Sequence, residues 1–119
     1  MAPRHRIKLK RAYDAPTRSD GKRILVDRLW PRGLRKEDAN LHSWVKDIAP
    51  SNELRKWFGH DPDRWHTFQE RYKTELAENG DEIRELRALA NSGTITLVYG
   101  ARDEEHNNAV VLRQVLETE

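Results

Sequence analysis

The ten residues Asn91-Ser92-Gly93-Thr94-Ile95-Thr96-Leu97-Val98-Tyr99-Gly100 decide the fold class. Thr94–Tyr99 is the most strand-like run in the chain, built from β-branched, aliphatic and aromatic side chains without a charge. Asn91-Ser92-Gly93 ahead of it is a helix stop, because glycine takes up the left-handed backbone of a helix C-terminus without steric cost. A strand set between helical runs points to the alternation of an α/β fold.

The flanking sequence agrees. Ile83, Leu86, Leu89 and Ala90 recur at helical spacing behind Gly80 and a capping Asp81. Before them, Asp61-Pro62 is a helix start: a carboxylate cap, then proline at the first position. Trp65, Phe68, Tyr72 and Leu76 follow at three- and four-residue steps. Ser51 can cap a shorter helix that carries Leu54, Trp57 and Phe58 and ends near Gly59. Beyond the decisive strand, Ala109 to Leu116 reads as a final helix. The second half is therefore helix, helix, strand, loop, helix. The pattern predicts an α/β fold: a single compact domain over residues 1–119, with a mainly parallel sheet of about four strands flanked by helices in a three-layer, Rossmann-like arrangement.

The first half is less periodic. Ile7, Leu9 and Tyr13 alternate with cations in Arg6–Tyr13, which predicts a half-buried strand. Ile24-Leu25-Val26 predicts a buried strand that ends before Trp30-Pro31-Arg32-Gly33. Ala15–Gly21 is loop chemistry. The loop after Asp14 is short for a parallel crossover, so these two strands either form a hairpin or are not neighbours. In residues 34–50, Leu41, Trp44, Val45 and Ile48 fit a helix, while Trp44, Lys46 and Ile48 fit one face of a strand. Periodicity leaves both open.

Composition narrows the function classes. The chain has no cysteine, which excludes disulfides, thiolate catalysis and cysteine-ligated zinc. No apolar run approaches the roughly 20 residues of a membrane span, and the basic N-terminus lacks the apolar stretch of a signal peptide, so a cytoplasmic protein without membrane contact is expected. His5, His42 and His66 show no ligand spacing, and no metal is expected. No dinucleotide fingerprint, phosphate loop or nucleophile elbow occurs, and no cofactor is expected. The net charge of +2 hides an asymmetry: residues 1–36 carry twelve Lys/Arg against three Asp/Glu, and residues 37–119 carry ten against seventeen. A basic first third suits nucleic acid or phosphate. Equally, it suits the acidic helices of the same chain or of a second copy in a homo-oligomer.

Parallel α/β sheets collect ligands beyond the carboxyl ends of their strands. Two such ends are polar here. Asp27-Arg28-Leu29-Trp30-Pro31-Arg32-Gly33 follows the buried second strand, and Arg102-Asp103-Glu104-Glu105-His106-Asn107-Asn108 follows the decisive one. Arg28, Arg32 and Arg102 are candidates to hold an anionic group, since guanidinium forks match phosphate. His106 and Asp27 are candidate acid–base groups, and Asn107 and Asn108 offer donors and acceptors to orient a ligand. The competing structural reading makes Asp103 the helix cap, Glu104 and Glu105 first-turn stabilisers, and Arg102 an ion-pair partner of Asp27 or another acid. Trp57-Phe58-Gly59-His60-Asp61-Pro62 is distinctive, but a helix–helix turn accounts for His60 and Asp61.

Three runs together resemble the short YeaO-like branch of the domain-of-unknown-function family 488. They are Arg23–Gly33, Ala49–Pro62 and Ala101–Leu112, and the resemblance covers nearly the whole chain. It implies a compact, cytoplasmic, bacterial-type α/β domain. Longer relatives carry a similar strand, an Asp-x-Arg-x-x-Pro stretch, and Cys-His-Arg at the helix start after a late strand. This comparison favours a strand over His42–Ile48. At the Cys-His-Arg position the chain has Asn107-Asn108-Ala109, so no thiol or imidazole mechanism carries over there, and His106 is the nearby base that titrates close to neutral pH.

These observations support a small enzyme-like domain binding a phosphate-bearing, nucleotide-like anion at the strand ends. The alternatives are a non-catalytic nucleic-acid- or protein-binding module that uses the basic first third, and a self-associating domain whose polar turns are only caps and ion pairs.

Overall fold

The computed structural model describes residues 7–118. Arg4, His5 and Arg6 of the basic first third lie outside the described residues, as does Glu119. Four strands, β1 (Ile7–Arg11), β2 (Lys22–Leu25), β3 (Ser43–Trp44) and β4 (Ile95–Tyr99), form one sheet in the order β1-β4-β2-β3. Every pairing is parallel. The decisive strand is the centre: β4 is buried along its whole length, with Leu97 opposite Leu9 on one side and Ile24 on the other. β1 and β2 are thus not neighbours. They flank β4, and a ten-residue connection suffices because it leads around one intervening strand.

The helices are α1 (Lys36–Ala39), α2 (Asn52–Phe58), α3 (Trp65–Ala77), α4 (Gly80–Ser92) and α5 (Asn108–Glu117). Strand alternation sorts the core into two parts. Ile24, Val26, Ile95, Leu97 and Tyr99 face α2 to α5, meeting Leu54, Phe68, Leu86 and Leu112 among others. Leu25, Val98 and Ala12 face the opposite way and are covered by Trp30, Leu34, Leu41 and Trp44. The second outer layer is therefore the Trp30–Trp44 segment with its one-turn helix α1, which periodicity did not predict.

The strand expected over His42–Ile48 is shorter. Only Ser43 and Trp44 pair with β2, flanked by hydrogen bonds from His42 N to Arg23 O and Val45 N to Leu25 O. Lys46–Ile48 then coils into a 3-10 turn. The turn carries Ile48 to full burial in the helical core, where Tyr72 Oη donates to its carbonyl at 2.6 Å. A continued edge strand would leave that side chain on the wrong face.

Among the described residues, no helix is long and apolar enough to cross a membrane.

Candidate functional site

A recess of about 470 Å³ opens at the carboxyl ends of β2 and β4. That size is within the range of small-molecule sites. Its polar floor is Asp27, just past β2. Oδ2 accepts a 2.8 Å hydrogen bond from Gly100 N, just past β4, and Oδ1 accepts one from Asn108 Nδ2 at 3.2 Å. The approach is close: a Cβ at position 100 would meet Asp27 Oδ2 at 3.3 Å, a tight contact, with Pro31 beyond it. Burial pushes the Asp27 carboxyl above its ordinary 3.8, while the bonds from Gly100 and Asn108 and the nearby His60 and Arg55 partly offset the rise.

The two asparagines have separate jobs. Asn107 caps α5: its Oδ1 accepts from Val110 N at 3.1 Å, and its Nδ2 donates to Asp103 O at 2.9 Å. Asn108 Nδ2 also donates to Val26 O at 2.9 Å, clamping the start of α5 onto the end of β2. The cap is therefore Asn107 rather than Asp103. Asp103 organises the preceding turn, accepting from Glu105 N and His106 N and meeting His106 Nδ1 at 2.8 Å. These contacts hold its carboxyl below the usual range, led by the bond from Glu105.

Of the residues singled out in the sequence, Asp27, Arg28, Arg32, Asn107 and Asn108 line this single recess. His106 and Arg102 are not among its lining residues. The His106 ring stands edge-on to Trp65, 5.2 Å between centroids, and Arg102 is exposed. Arg28 is held by backbone, donating from Nε to Pro50 O at 3.0 Å and from Nη2 to Ala49 O at 3.2 Å.

The recess also contains basic side chains that sequence reasoning did not assign to it: Arg55, Lys56 and His60. They come from α2 and the turn after it. Ser51 fixes that helix, accepting from Leu54 N at 3.1 Å while its own N and Oγ donate to Glu75 of α3 at 2.8 and 2.6 Å. Gly59 and His60 both adopt left-handed backbone, φ 52° and 57°. Such a conformation is uncommon for histidine and persists where its surroundings enforce it. Here it ends α2 and leaves His60 on the recess wall. The signal available in the sequence was the unusual Trp57-Phe58-Gly59-His60 run itself.

Among the described residues, none of Arg28, Arg32, Arg55, Lys56 or His60 forms an ion pair. Asp27 is the sole carboxylate of the lining. The arrangement is a cleft rich in basic side chains with one partly buried acid at its base.

A family model described as the inactive DUF488-N3 subclade matches residues 6–119. The chain belongs to this family. The chain is also 47% identical over 106 residues to the uncharacterized protein YeaO of Escherichia coli strain K12, covering 89% of this chain and 92% of that one. An uncharacterized protein of Mycobacterium tuberculosis strain H37Rv is 40% identical over 116 residues, 98% of each chain. A Mycobacterium bovis protein, also uncharacterized, gives the same figures. No solved structure matches.

Proposed function

We propose that the recess binds a small anionic, phosphate-bearing ligand, and that this binding rather than turnover is what the domain does. The observation that carries the reading is the set of cations around one cleft that have no carboxylate partner among the described residues. Unpaired guanidinium groups held in a cleft match an anion better than they serve the fold. An enzymatic version would use Asp27 and His106 as an acid–base pair. Against it stand the outlying position of His106 and the word "inactive" in the family description. The nucleic-acid alternative is weakened by what the basic third already contacts. Lys10 and Arg23 are engaged by Asp20, Lys8 by Ser19 and Arg11 by Ala101 O.

A thermal-shift series with pyrophosphate, nucleoside monophosphates and sugar phosphates tests this. A ligand at one hundred times its Kd should raise the melting temperature by about 10 °C, the equivalent of about 2.7 kcal/mol. Arg55→Ala should cut the rise by about half or more. A uniform absence of shifts, or shifts that are undiminished in Arg55→Ala, would refute the proposal. Retention on single-stranded DNA that vanishes with salt would favour the alternative instead.

A further inference from the structure

The recess holds two unlike polar groups, and this restricts what can occupy it. One is Arg55. Its Nε is buried without a hydrogen-bond partner, and its guanidinium otherwise makes only a long 3.4 Å contact from Nη2 to Asn52 Oδ1. A buried donor left unsatisfied is destabilising, and a bound acceptor would relieve it. The other is Asp27. Each of its oxygens takes one protein donor, from Gly100 and Asn108, and a carboxylate oxygen has lone pairs for more than one. A purely anionic ligand would be repelled by this carboxylate, whereas an N–H donor would be received by it. The lining also has an apolar part, to which Trp30, Pro31 and the edges of the stacked pair Phe58 and Phe68 contribute. Such a surface suits an aromatic ring.

We infer that the ligand is an amino-substituted heteroaromatic mononucleotide, its phosphate held by Arg55 and its exocyclic amino group donated to Asp27. This deepens the anion-binding reading and rests on it. A phosphate on Arg55 completes a bidentate fork, and Arg28, fixed by Ala49 O and Pro50 O, adds a second positive charge without moving. The volume of about 470 Å³ accommodates a mononucleotide rather than a strand.

The test is calorimetric titration of the full chain with AMP, IMP and inorganic phosphate. AMP and IMP differ in presenting an amino or an oxo group on the same ring. The wild-type chain should bind AMP at least tenfold more tightly than IMP, because an oxo group facing the Asp27 carboxylate leaves two acceptors opposed. Asp27→Asn should bring the ratio close to one. Arg55→Ala should weaken AMP and IMP together by tenfold or more and keep their ratio, with Arg55→Lys intermediate. Equal affinity of wild type for AMP and IMP overturns the inference while leaving anion binding intact. Binding of none of the three probes overturns anion binding itself. Tighter binding of a 5′-phosphorylated adenylate tetramer than of AMP overturns the mononucleotide assignment.

Discussion

Asp20→Ala should lower the unfolding free energy by about 3–5 kcal/mol, the cost of removing one partner from a buried ion pair. For a chain of this length the melting temperature should fall by roughly 10–20 °C. Asp20 is 2% exposed, on the sheet face opposite α2 to α5, and its carboxylate is the hub of a polar cluster. Arg23 Nη1, itself on a 2% exposed side chain, reaches it at 2.8 Å. Lys10 Nζ reaches it at 3.1 Å, and Thr17 donates from N at 3.0 Å and from Oγ1 at 2.9 Å. The Asp20 carbonyl accepts from Thr96 Oγ1 of β4 at 2.7 Å, so the cluster ties the connection between β1 and β2 to the central strand. Alanine would strand Arg23 as an uncompensated buried cation. Arg23→Ala should accordingly cost less in the Asp20→Ala background than in the wild type, a coupling that a double-mutant cycle in urea reads directly.

The same carboxylate sets an acid limb on stability. Burial alone would raise its pKa, but the Thr17, Lys10 and Arg23 bonds together outweigh burial and hold it well below the ordinary 3.8. A depressed carboxylate contributes its stability above the unfolded value and loses it as pH falls through the folded one. Stability should therefore drop as the pH falls below 3.8, and the drop should be shallower in Asp20→Ala. Asp27 acts with the opposite sign, since its pKa is raised. Its ionisation disfavours the native state as pH rises through its folded value. A wild-type curve with no Asp20-dependent slope below pH 3.8 would contradict the assignment.

Gly21→Ala should cost roughly 2–4 kcal/mol, combining backbone strain with the loss of a ladder hydrogen bond. Gly21 has φ 64° and ψ −138°, a region that side chains avoid. A Cβ at this position would overlap the carbonyl oxygen of Thr94 and sit 2.7 Å from its carbonyl carbon. The adjacent Lys22 N donates to that same carbonyl at 3.1 Å, starting the β2–β4 ladder. Alanine therefore pushes the first rung of the sheet apart. Equilibrium urea unfolding measures the loss, and a change under 1 kcal/mol would mean that the connection relaxes without disturbing β2.

The parts of this fold that were legible in the sequence are those whose signal is local. β4 shows its strand character in its composition, and α3, α4 and α5 show theirs in spacing, so their order points to an α/β fold with a mainly parallel sheet. β3 is only two residues long, too brief for alternation to register, and its limits are set by where Ile48 must go. Asp20 read as loop chemistry because the groups that satisfy it lie at positions 10, 17, 23 and 96. The crowded turn after β4 drew attention as a ligand site, yet much of its polarity is internal: Asp103 satisfies His106, Asn107 caps α5, and Asn108 locks β2 to α5. The cations that replace Arg102 in the recess arrive on α2, whose seat depends on Ser51 meeting Glu75 twenty-four residues later. Nothing in a single sequence reveals that contact.

Whether the recess is the binding site is decided most directly by a nitrogen–proton NMR titration of the full chain with AMP. The account predicts shifts concentrated at the Gly100 amide, the Asn108 carboxamide and the side-chain Nε–H groups of Arg55 and Arg28. Shifts confined to the Lys8–Lys22 segment, or an unchanged spectrum at millimolar AMP, would contradict it.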